Sequence, residues 1–447
     1  MNAPLKSNLF LLGIGGIGMS ALAKFLSLKG HKLYGYDRNT SSITQSLVDI
    51  GISVITEENL SLLEPEFLNN ETTDIIYTPA IPANSLLKTH FEENGFRLLK
   101  RSEVLEMATQ NYITLAVAGT HGKTTTSAVL CYLLSVLGHN PNAFLGGIAK
   151  NFNNNFVAGN GPYCVVEADE FDRSFLRLHP YAAIITAMDP DHLDIYQNKD
   201  DFEKTFLQFS KQVSHHLLVK NGLPISNAKT YGWGEGDYQI LNLTVAHNRY
   251  QFIWKGPGFS QEVVMHYPGR HNVENAIAAA SLLHMLKLDE KELAGALAQF
   301  EGVKRRFEIQ IPNANTVYVD DYAHHPEELK ALLNSVRELY PEHKLTLVFQ
   351  PHLFSRTRDF MAEFGRALAL SDELFLLPIY PAREIPIPDI TSERLLETVP
   401  MKNKQCLSSE DFLKKLETYS PQLLISAGAG DIDQLVEPIL KKLSHVE

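Results

Sequence analysis

The chain has 447 residues, 44% of them hydrophobic, and a formal net charge of −12 at pH 7. This length predicts about two to four domains, and the apolar content is sufficient for buried cores. The negative charge argues against nucleic acid or an anionic membrane as the main partner.

Cysteine usage and hydropathy indicate the compartment. Cys131, Cys164 and Cys406 lie far apart in apolar contexts, and they form neither a disulfide framework nor a metal-binding pattern. The N-terminus lacks the basic and then apolar pattern of a signal peptide, and no stretch approaches the roughly 20 apolar residues of a membrane span. We therefore expect a soluble cytoplasmic protein without membrane insertion.

The N-terminal part of the chain alternates strands with helices. The predicted elements are the strands Leu9–Leu12, His31–Tyr36 and Asp74–Tyr77 and the helix Gly18–Lys29. Such alternation predicts a parallel sheet covered by helices. The last of these strands runs into Thr78-Pro79-Ala80, and we take Thr78 and Ala80 as candidate substrate-binding residues.

A glycine-rich loop follows the first predicted strand. The segment Gly13-Ile-Gly15-Gly16-Ile-Gly18 fits G-x-G-x-x-G, and Asp37 ends the second strand about twenty residues further on. This arrangement holds a pyrophosphate at a helix N-terminus and places the Asp37 carboxylate near ribose hydroxyls. The motif alone does not separate NAD from another nucleotide diphosphate, or either from a tight turn without a ligand. A second nucleotide loop lies downstream, and no obvious set of hydride-transfer residues accompanies the first loop. Both observations favour a substrate linked to a nucleotide diphosphate. Its predicted binding residues are Gly13, Gly15, Gly16, Ile17, Gly18 and Asp37.

The most informative segment is 116–127, AVAGTHGKTTTS, an apolar strand that runs into a loop ending in Gly-Lys-Thr-Thr. Backbone N–H groups around Gly119 and Gly122 can surround phosphate oxygens, and Lys123 adds a positive charge. The Thr124 hydroxyl can bind Mg²⁺. The loop departs from the usual motif at Val117, where such loops have glycine. We predict an ATP site formed by Gly119, Thr120, His121, Gly122, Lys123, Thr124 and Thr125.

Two further strands of this second block end in polar residues. The strands predicted for the block are Thr114–Val117, Tyr163–Val166, Ala182–Thr186 and His216–Val219. Glu167 follows the second of them directly, and His192 follows the third in Asp189-Pro190-Asp191-His192. Because the carboxyl ends of parallel strands share one sheet edge, Glu167 and His192 are candidate Mg²⁺ ligands beside Thr124. The alternatives are a solvated acid for Glu167 and an ordinary loop histidine for His192.

The remaining chain contains a period-two region and a third α/β block. The period-two segments Gln239–Val245, Arg249–Trp254 and Glu262–His266 predict antiparallel hairpins, and a helix is expected at His271–Lys287. The strands predicted for the third block are Thr316–Val319, Lys344–Phe349, Glu373–Leu377 and Leu423–Ser426.

Motifs along nearly the whole chain resemble those of the Mur ligase family. In chain order they are GIGGIGMS, GTHGKTTT, EADEFDRSF, MDPDHLD, GRHNVENAIAA, RRFE, DDYAHHP, FQPHLFSRTRDF and YPAREIP. The resemblance implies an α/β fold of three domains. These are an N-terminal Rossmann-like domain for a UDP-sugar at 1–108, a central P-loop ATPase domain with antiparallel hairpins at 109–303, and a C-terminal Rossmann-like domain for an amino acid at 304–447.

The resemblance also implies an activity. ATP, UDP-N-acetylmuramate and L-alanine would give the UDP-muramoyl-alanine, ADP and phosphate, with Mg²⁺ as the metal. A carboxylate is a poor electrophile, so phosphorylation by ATP first gives an acyl phosphate, which the amine then attacks. This chemistry requires positioning and charge neutralisation rather than a nucleophilic side chain, and the sequence shows no obvious nucleophile.

Family residues carry over onto this sequence position by position. On the nucleotide side they are Lys123 and Thr124 in the ATP loop, Glu167 and His192 at the metal, His271, Asn272 and Asn275 at the adenine, Arg306 closing the central domain, and Asp321 at the hinge. On the amino-acid side they are Tyr322, His352 and Arg356. The candidate catalytic residues are Lys123, Glu167, His192 and Arg356.

The amino-acid side contains one departure from the family pattern. Many members have arginine directly after the matched histidine, whereas this sequence has Leu353. Arg356 therefore carries more of the recognition of the α-carboxylate, for which a guanidinium is suited. His324-His325 suggests a metal site, but adjacent loop residues rarely chelate one ion, so packing near the substrate is favoured. Lys204 lies near the position of a carbamylated lysine in some members but out of register, and it is assigned no role.

Other functions are open at this point. A sister ligase would join a preformed tripeptide, or another amino acid, to the same sugar nucleotide. The short segment Phe171–Pro180 and the Arg356-Thr-Arg358 loop favour alanine. An NAD-dependent oxidoreductase with an accessory P-loop and a nucleotide-switched binding protein are alternatives of other classes. The sequence predicts neither the oligomeric state, nor the tolerance of glycine or L-serine, nor the number of metal ions.

Overall fold

The structure, a computed structural model, describes residues 3–189, 196, 198–246, 249–312, 316–382 and 384–443. The chain forms two compact units. The first comprises Met1–Leu241, Ile253–Val263 and Glu274–Phe300, and the second comprises Asn242–Phe252, Val264–Val273 and Glu301–Glu447. Within the described residues, no helix is both long and apolar enough to cross a membrane.

The strands are, in chain order, β1 (Asn8–Leu12), β2 (Lys32–Tyr36), β3 (Ser53–Ile55), β4 (Thr73–Tyr77), β5 (Arg97–Lys100), β6 (Ile113–Ala118), β7 (Asn142–Ala149), β8 (Asn154–Val157), β9 (Tyr163–Ala168), β10 (Ala182–Ile185), β11 (His216–Lys220), β12 (Lys229–Trp233), β13 (Tyr238–Ala246), β14 (Arg249–Gly256), β15 (Phe259–Met265), β16 (Glu308–Pro312), β17 (Val317–Asp321), β18 (Leu345–Phe349), β19 (Glu373–Leu376), β20 (Lys404–Cys406) and β21 (Leu423–Ala427).

The α-helices are α1 (Ile17–Leu28), α2 (Ser42–Val48), α3 (Leu86–Glu93), α4 (Arg101–Thr109), α5 (Lys123–Val136), α6 (Lys199–Gln212), α7 (Arg270–Met285), α8 (Glu290–Leu297), α9 (Pro326–Leu339), α10 (Phe354–Asp359), α11 (Met361–Leu368), α12 (Ser392–Thr398), α13 (Ser409–Lys415) and α14 (Val436–Leu443). Short 3-10 helices cover Leu60–Leu62, Pro65–Leu68, Phe171–Arg177 and Asp431–Leu435.

The first sheet is parallel and has the strand order β3-β2-β1-β4-β5. Strand β1 lies at its centre, and Leu9–Leu12 are fully buried. Burial on both faces explains why this strand is a continuous apolar run rather than an alternating one. The loops that carry Gly13, Asp37 and Thr78 therefore leave the same edge of the sheet.

The central sheet has the strand order β15-β14-β13-β12-β11-β10-β6-β9-β7-β8. Strand β6 pairs in parallel with β9 and β10, so the ends that carry the ATP loop and Glu167 lie side by side. The neighbouring strands β14 and β15 are separated only by Pro257 and Gly258, and Gly258 has φ 84°. A two-residue connection between neighbouring strands makes an antiparallel hairpin. The predicted hairpin region is thereby confirmed.

The third sheet lies in the second unit and has the strand order β16-β17-β21-β18-β19-β20. Its pairs are parallel except β16 with β17, which are antiparallel. Helices α9 and α11 cover one face through a buried apolar cluster that includes Leu332, Phe349 and Phe364. The carboxyl ends of β17 and β18 carry Asp321 and the segment that leads to His352.

Every strand predicted from the sequence is present, with ends shifted by at most three residues. Within the part of the chain that the structure describes, sequence reasoning missed seven others, which are β3, β5, β7, β8, β12, β16 and β20. Five of these, β3, β5, β8, β16 and β20, lie at sheet edges. Edge strands are short and polar because one side has no neighbouring strand, so they lack a clear apolar pattern. The interior strand β7 was missed for another reason: it contains two adjacent glycines, which interrupt the apolar pattern of a strand.

Candidate active site

The ATP loop connects β6 to α5 and depends on glycine at two positions. Gly119 and Gly122 have φ values of 133° and 79°, which favour glycine. A Cβ at Gly119 would lie 2.8 Å from the Ala187 amide nitrogen, and one at Gly122 would clash with the Asn275 carboxamide. Gly122 is the N-cap of α5 and supplies no side-chain cap. The positive end of α5 and its first N–H groups are therefore suited to a phosphate.

Lys123 is the first residue of α5, and its ammonium lies inside the loop. Its Nζ donates to the Gly119 carbonyl (2.6 Å) and to both Glu170 carboxylate oxygens (2.8 and 2.9 Å). Glu170 is 1% exposed. Burial lowers the pKa of Lys123, but Glu170, Asp169 and Glu167 outweigh it and raise the pKa above its ordinary value. Lys123 is therefore a cation at neutral pH.

Glu170 is a site residue that sequence reasoning missed. It lies three residues after Glu167 in the EADEFDRSF motif, and that shared strand end was the only available signal. Its backbone carbonyl accepts a hydrogen bond from the Tyr196 hydroxyl (2.6 Å). The chain then turns through Asp172 and Arg173, both with positive φ (52° and 53°). A defined backbone path thus directs the carboxylate at Lys123.

Glu167 lies beside Thr124, as the sequence predicts. The Thr124 hydroxyl donates to Glu167 Oε1 (3.2 Å), and the Gly146 N–H donates to Oε2 (3.0 Å). A Cβ at Gly146 would clash with this carboxylate, so β7 needs glycine there. A carboxylate and a hydroxyl are hard oxygen ligands, and Mg²⁺ commonly binds through one or two carboxylates and nucleotide phosphates. The pair fits such a site.

The other predicted metal ligand, His192, lies outside the described residues. No group of three or more His, Cys, Asp and Glu side chains in the described part of the chain could hold a metal ion by itself. His121 and Thr120 of the ATP loop contact the start of the 189–192 segment, because His121 Nε2 is 3.7 Å from Asp189 Oδ2 and the Asp189 N–H donates to Thr120 Oγ1 (3.1 Å).

The first glycine loop is held by the end of β2. The N–H groups of Gly13 and Ile14 both donate to the Tyr36 carbonyl, at 2.8 and 3.1 Å. Asp37 Oδ2 accepts from the Gly15 N–H (2.9 Å), and Oδ1 accepts from the Asn39 N–H (3.1 Å). Asp37 thus fixes the loop itself, while a contact to ribose hydroxyls stays a prediction.

One cavity of about 260 Å³ in the first unit is lined both by the first glycine loop and by Glu167. The first glycine loop and its neighbour contribute Gly13, Gly16, Ile17, Gly18 and Thr78, and the central sheet contributes Gly146, Glu167 and Asp169. The first sheet and the central sheet also share a buried core, in which Phe25 of α1 contacts Phe144 and Phe156 (ring centroids 5.3 and 6.0 Å). Of the predicted substrate residues, Gly15 and Asp37 support the loop, and Ala80 is exposed.

The adenine-side motif lies at the start of α7. Burial and, to a smaller extent, Arg306 lower the pKa of His271 to about 4, while Glu328 opposes the change. Its Nδ1 is buried and has no hydrogen-bond partner among the described residues. Such an atom fits a ligand that supplies a hydrogen bond. Asn272 is 1% exposed, and its Nδ2 donates to the Pro268 carbonyl (2.5 Å).

Arg306 and Asp321 lie together in the second unit. The Phe307 and Ala323 N–H groups donate to the Asp321 carboxylate at 2.5 and 2.7 Å. Burial raises the pKa of Asp321 to about 6, although Arg306 and these N–H groups oppose it. The Arg306 guanidinium lies over the Tyr322 ring, 5.0 Å from its centroid. Asp321 thus organises the backbone at the start of the third α/β block.

The predicted amino-acid residues also form a cluster in the second unit. Arg356 Nη1 is 3.5 Å from His352 Nδ1, and Arg356 is 7% exposed. The His352 ring stacks on Tyr380 (5.7 Å) and meets His324 edge-on (5.9 Å). His324 in turn contacts Tyr322 (5.3 Å), so three aromatic rings link Tyr322 to the arginine.

Two neighbours of this cluster, Leu353 and His325, lie at the starts of helices. Leu353 has φ 73°, an uncommon value for a non-glycine residue, and it precedes α10. His325 caps α9, because its Nδ1 accepts from the Glu327 N–H (3.4 Å). This fits packing rather than chelation.

Comparison with known proteins decides the family. The model described as "Mur ligase family, catalytic domain" matches residues 10–113, "Mur ligase middle domain" matches 117–283, and "Mur ligase, glutamate ligase domain" matches 305–432. A UDP-N-acetylmuramate–L-alanine ligase of Cytophaga hutchinsonii is 43% identical, over 98% of this chain and 97% of that protein. One of Flavobacterium johnsoniae is 41% identical over 100% of both. The chain belongs to the Mur ligase family.

Solved structures agree with this assignment. The UDP-N-acetylmuramate-alanine ligase of Thermotoga maritima has a TM-score of 0.85 at 26% identity, over 98% of this chain and 100% of that one. A murein peptide ligase of Psychrobacter arcticus has a TM-score of 0.73 at 20% identity, over 99% of both chains, and shows the fold alone. The three-domain α/β fold that the sequence predicts is confirmed. The domain boundaries at 108 and 303 stay a prediction for this Mur ligase.

Proposed function

We propose that this Mur ligase joins L-alanine to the lactyl carboxylate of UDP-N-acetylmuramate at the expense of ATP, in peptidoglycan synthesis. The cavity described above carries the proposal, because the first glycine loop and Glu167 line it together. A sugar nucleotide bound to that loop would have its lactyl carboxylate near Glu167 and the ATP loop. The names of relatives 41–43% identical over nearly the whole chain support the same reaction.

ATP and Mg²⁺ fit the residues present. The loop from Gly119 to Thr125, with the first turn of α5, is proposed to hold the phosphates, and His271, Asn272 and Asn275 are proposed for the adenine. Thr124, Glu167 and His192 are proposed as metal ligands. When bound, Mg²⁺ neutralises phosphate charge during transfer. Arg306 and Asp321 are proposed as further ATP-side residues.

The reaction then proceeds in two steps. A lactyl carboxylate oxygen attacks the γ-phosphorus of ATP, the bond to the β-phosphate oxygen breaks, and ADP leaves. The amine of L-alanine attacks the acyl carbon, the bond to the phosphate oxygen breaks, and the nitrogen loses a proton. Lys123 stabilises charge on the transferring group, and Glu170 holds the lysine ammonium beforehand.

The amino acid is proposed to bind at Tyr322, His352 and Arg356. The buried Arg356 can form a two-pronged bond with the α-carboxylate of L-alanine. His352 lies within 3.5 Å of this guanidinium and limits its movement. The small side chain of alanine needs no further charged partner. We also propose a cytoplasmic location, because all three substrates are metabolites and the three cysteines are unpaired in the described structure.

Phosphate release from ATP tests this function. We expect release only with UDP-N-acetylmuramate, Mg²⁺ and an amino acid present together, and the fastest release with L-alanine among glycine, L-serine and a cell-wall tripeptide. A preference for the tripeptide would support the sister ligase. ATP hydrolysis indifferent to amino acids would support a nucleotide switch, and NADH oxidation without ATP demand would support an oxidoreductase.

A further inference from the structure

Arg101, the first residue of α4, lies where the first glycine loop meets the cavity. It lines the same cavity as Gly16, Ile17 and Gly18. A Cβ on Gly18 would lie 2.7 Å from Arg101 Nη1 and 3.2 Å from Cζ, so the guanidinium occupies the space of a side chain at Gly18. Gly18 is the second residue of α1. The guanidinium therefore lies against the first turn of this helix.

The charge at this position has little compensation within the chain. The N-terminal end of a helix is positive, so a cation there is unfavourable unless an anion joins it. The nearest acid is Asp169, whose Oδ2 is 3.9 Å from Arg101 Nη2, beyond hydrogen-bond distance. No hydrogen bond joins the guanidinium to any other described residue, and it is the only cation among the described residues that line the cavity. Its N–H donors are available to a ligand.

We propose that Arg101 binds the diphosphate of the sugar nucleotide and completes the anion site of the first glycine loop. The inference rests on the function proposed above. A guanidinium binds phosphate oxygens in a planar, two-pronged geometry, while the α1 N–H groups bind from the helix side. The substrate has a second anion, the lactyl carboxylate. The contact with Gly18 favours the diphosphate, because the carboxylate has to reach the ATP side near Glu167.

Titration calorimetry with UDP tests this, since UDP contains the diphosphate and lacks the lactyl carboxylate. The variants are Arg101→Gln, which removes the charge, and Arg101→Lys, which keeps it without the planar fork. Arg394→Gln is the matched control, because Arg394 is 65% exposed and forms its ion pair with Glu397 on the same helix turn. We expect Arg101→Gln to weaken UDP binding at least about tenfold and Arg101→Lys to weaken it less. ATP binding should be within about twofold of the unsubstituted chain, which also reports folding.

Steady-state kinetics supplies the second readout. Arg101→Gln should raise the KM for UDP-N-acetylmuramate with little change in kcat, because the diphosphate does not react. Unchanged UDP affinity together with a fall in kcat would place Arg101 at the lactyl carboxylate and overturn the proposal. Unchanged UDP affinity and kinetics in a folded variant would overturn it as well. If the unsubstituted chain bound no UDP and turned over no UDP-N-acetylmuramate, the proposed function itself would fail.

Discussion

Charge pairing at single residues decides how the ATP loop is held before a nucleotide arrives. Lys123 contacts both oxygens of Glu170, which is 1% exposed, and the loop carbonyl of Gly119. Removing one partner of a buried pair leaves the other charge poorly solvated, which costs more than the pair contributes. The Lys123–Glu170 pair therefore links the phosphate site to the stability of the central sheet.

The lysine and its partner can be separated by substitution. We expect Lys123→Ala to lower turnover at least about 100-fold and to lower the free energy of unfolding by about 3 kcal/mol. The double variant Lys123→Ala/Glu170→Gln should recover much of that stability and none of the turnover. Thermal unfolding and phosphate release measure the two effects.

The control is Lys220→Ala, which breaks an ion pair of the same length (2.8 Å) with the more exposed Glu274 (13%). Lys220→Ala should lower the free energy of unfolding by less than about 1 kcal/mol. A double variant no more stable than Lys123→Ala would contradict the proposed role of Glu170.

At the scale of elements, the second residue of helix α7, His271, is half-buried and stays neutral. A positive charge in the first turn of a helix is unfavourable, and burial and Arg306 add to this effect at His271. The lowered pKa, about 4 against 6.5 in the unfolded chain, means that the unfolded chain binds the proton first as the pH falls. The stability that His271 contributes is thus complete above pH 6.5 and is lost progressively down to about pH 4, by about 3 kcal/mol.

Asp321, in the same unit, changes the stability of the fold with pH in the opposite direction. Its raised pKa, about 6 against 3.8, means that the folded chain holds the proton more tightly. Asp321 therefore stabilises the fold less as the pH rises from 3.8 to 6. The two groups oppose each other between about pH 4 and 6.

Replacing His271 isolates its contribution. We expect His271→Gln to gain thermal stability relative to the unsubstituted chain as the pH falls from 7 to 5. The measurement is the difference in the midpoint temperature of thermal unfolding between the two proteins, followed from pH 7 to pH 5. If His271→Gln gave a flat difference instead, His271 would not be neutral in the folded chain.

At the scale of the whole molecule, the proposed half-reactions use residues from different units. Lys123, Glu167 and the first glycine loop belong to the first unit, whereas Tyr322, His352 and Arg356 belong to the second. Acyl phosphate formation needs ATP and the sugar nucleotide, and only the second step needs the amino acid. The two steps should therefore respond separately to substitution.

Arg356→Gln tests this division. We expect the KM for L-alanine to rise at least about tenfold, while acyl phosphate formation without alanine is unchanged. Trapping the acyl phosphate by borohydride reduction, with ATP and UDP-N-acetylmuramate present, measures the first step. Arg366→Gln, an exposed arginine on α11, is the control. Loss of the trapped product in Arg356→Gln would show that this arginine also serves the first step.

Local patterns in the sequence determined the predicted strands and both nucleotide loops. Glycine spacing and apolar runs act over a few residues, so the ATP loop, the first glycine loop and the parallel direction of β6, β9 and β10 were readable without coordinates. The family motifs extended this to the three domains and the reaction class. The metal-binding role of His192, which lies outside the described residues, stays a prediction made from sequence alone.

Partners across elements were decided only by the tertiary structure. That Glu170 faces Lys123, that Gly146 leaves room for Glu167, and that Arg101 lies against Gly18 all depend on how separate strands and helices pack. Likewise, only the folded chain shows that Asp37 binds the Gly15 N–H, while its contact with ribose hydroxyls stays a prediction. A sequence pattern records which residues lie near each other along the chain, whereas burial and pairing depend on residues that are distant in it.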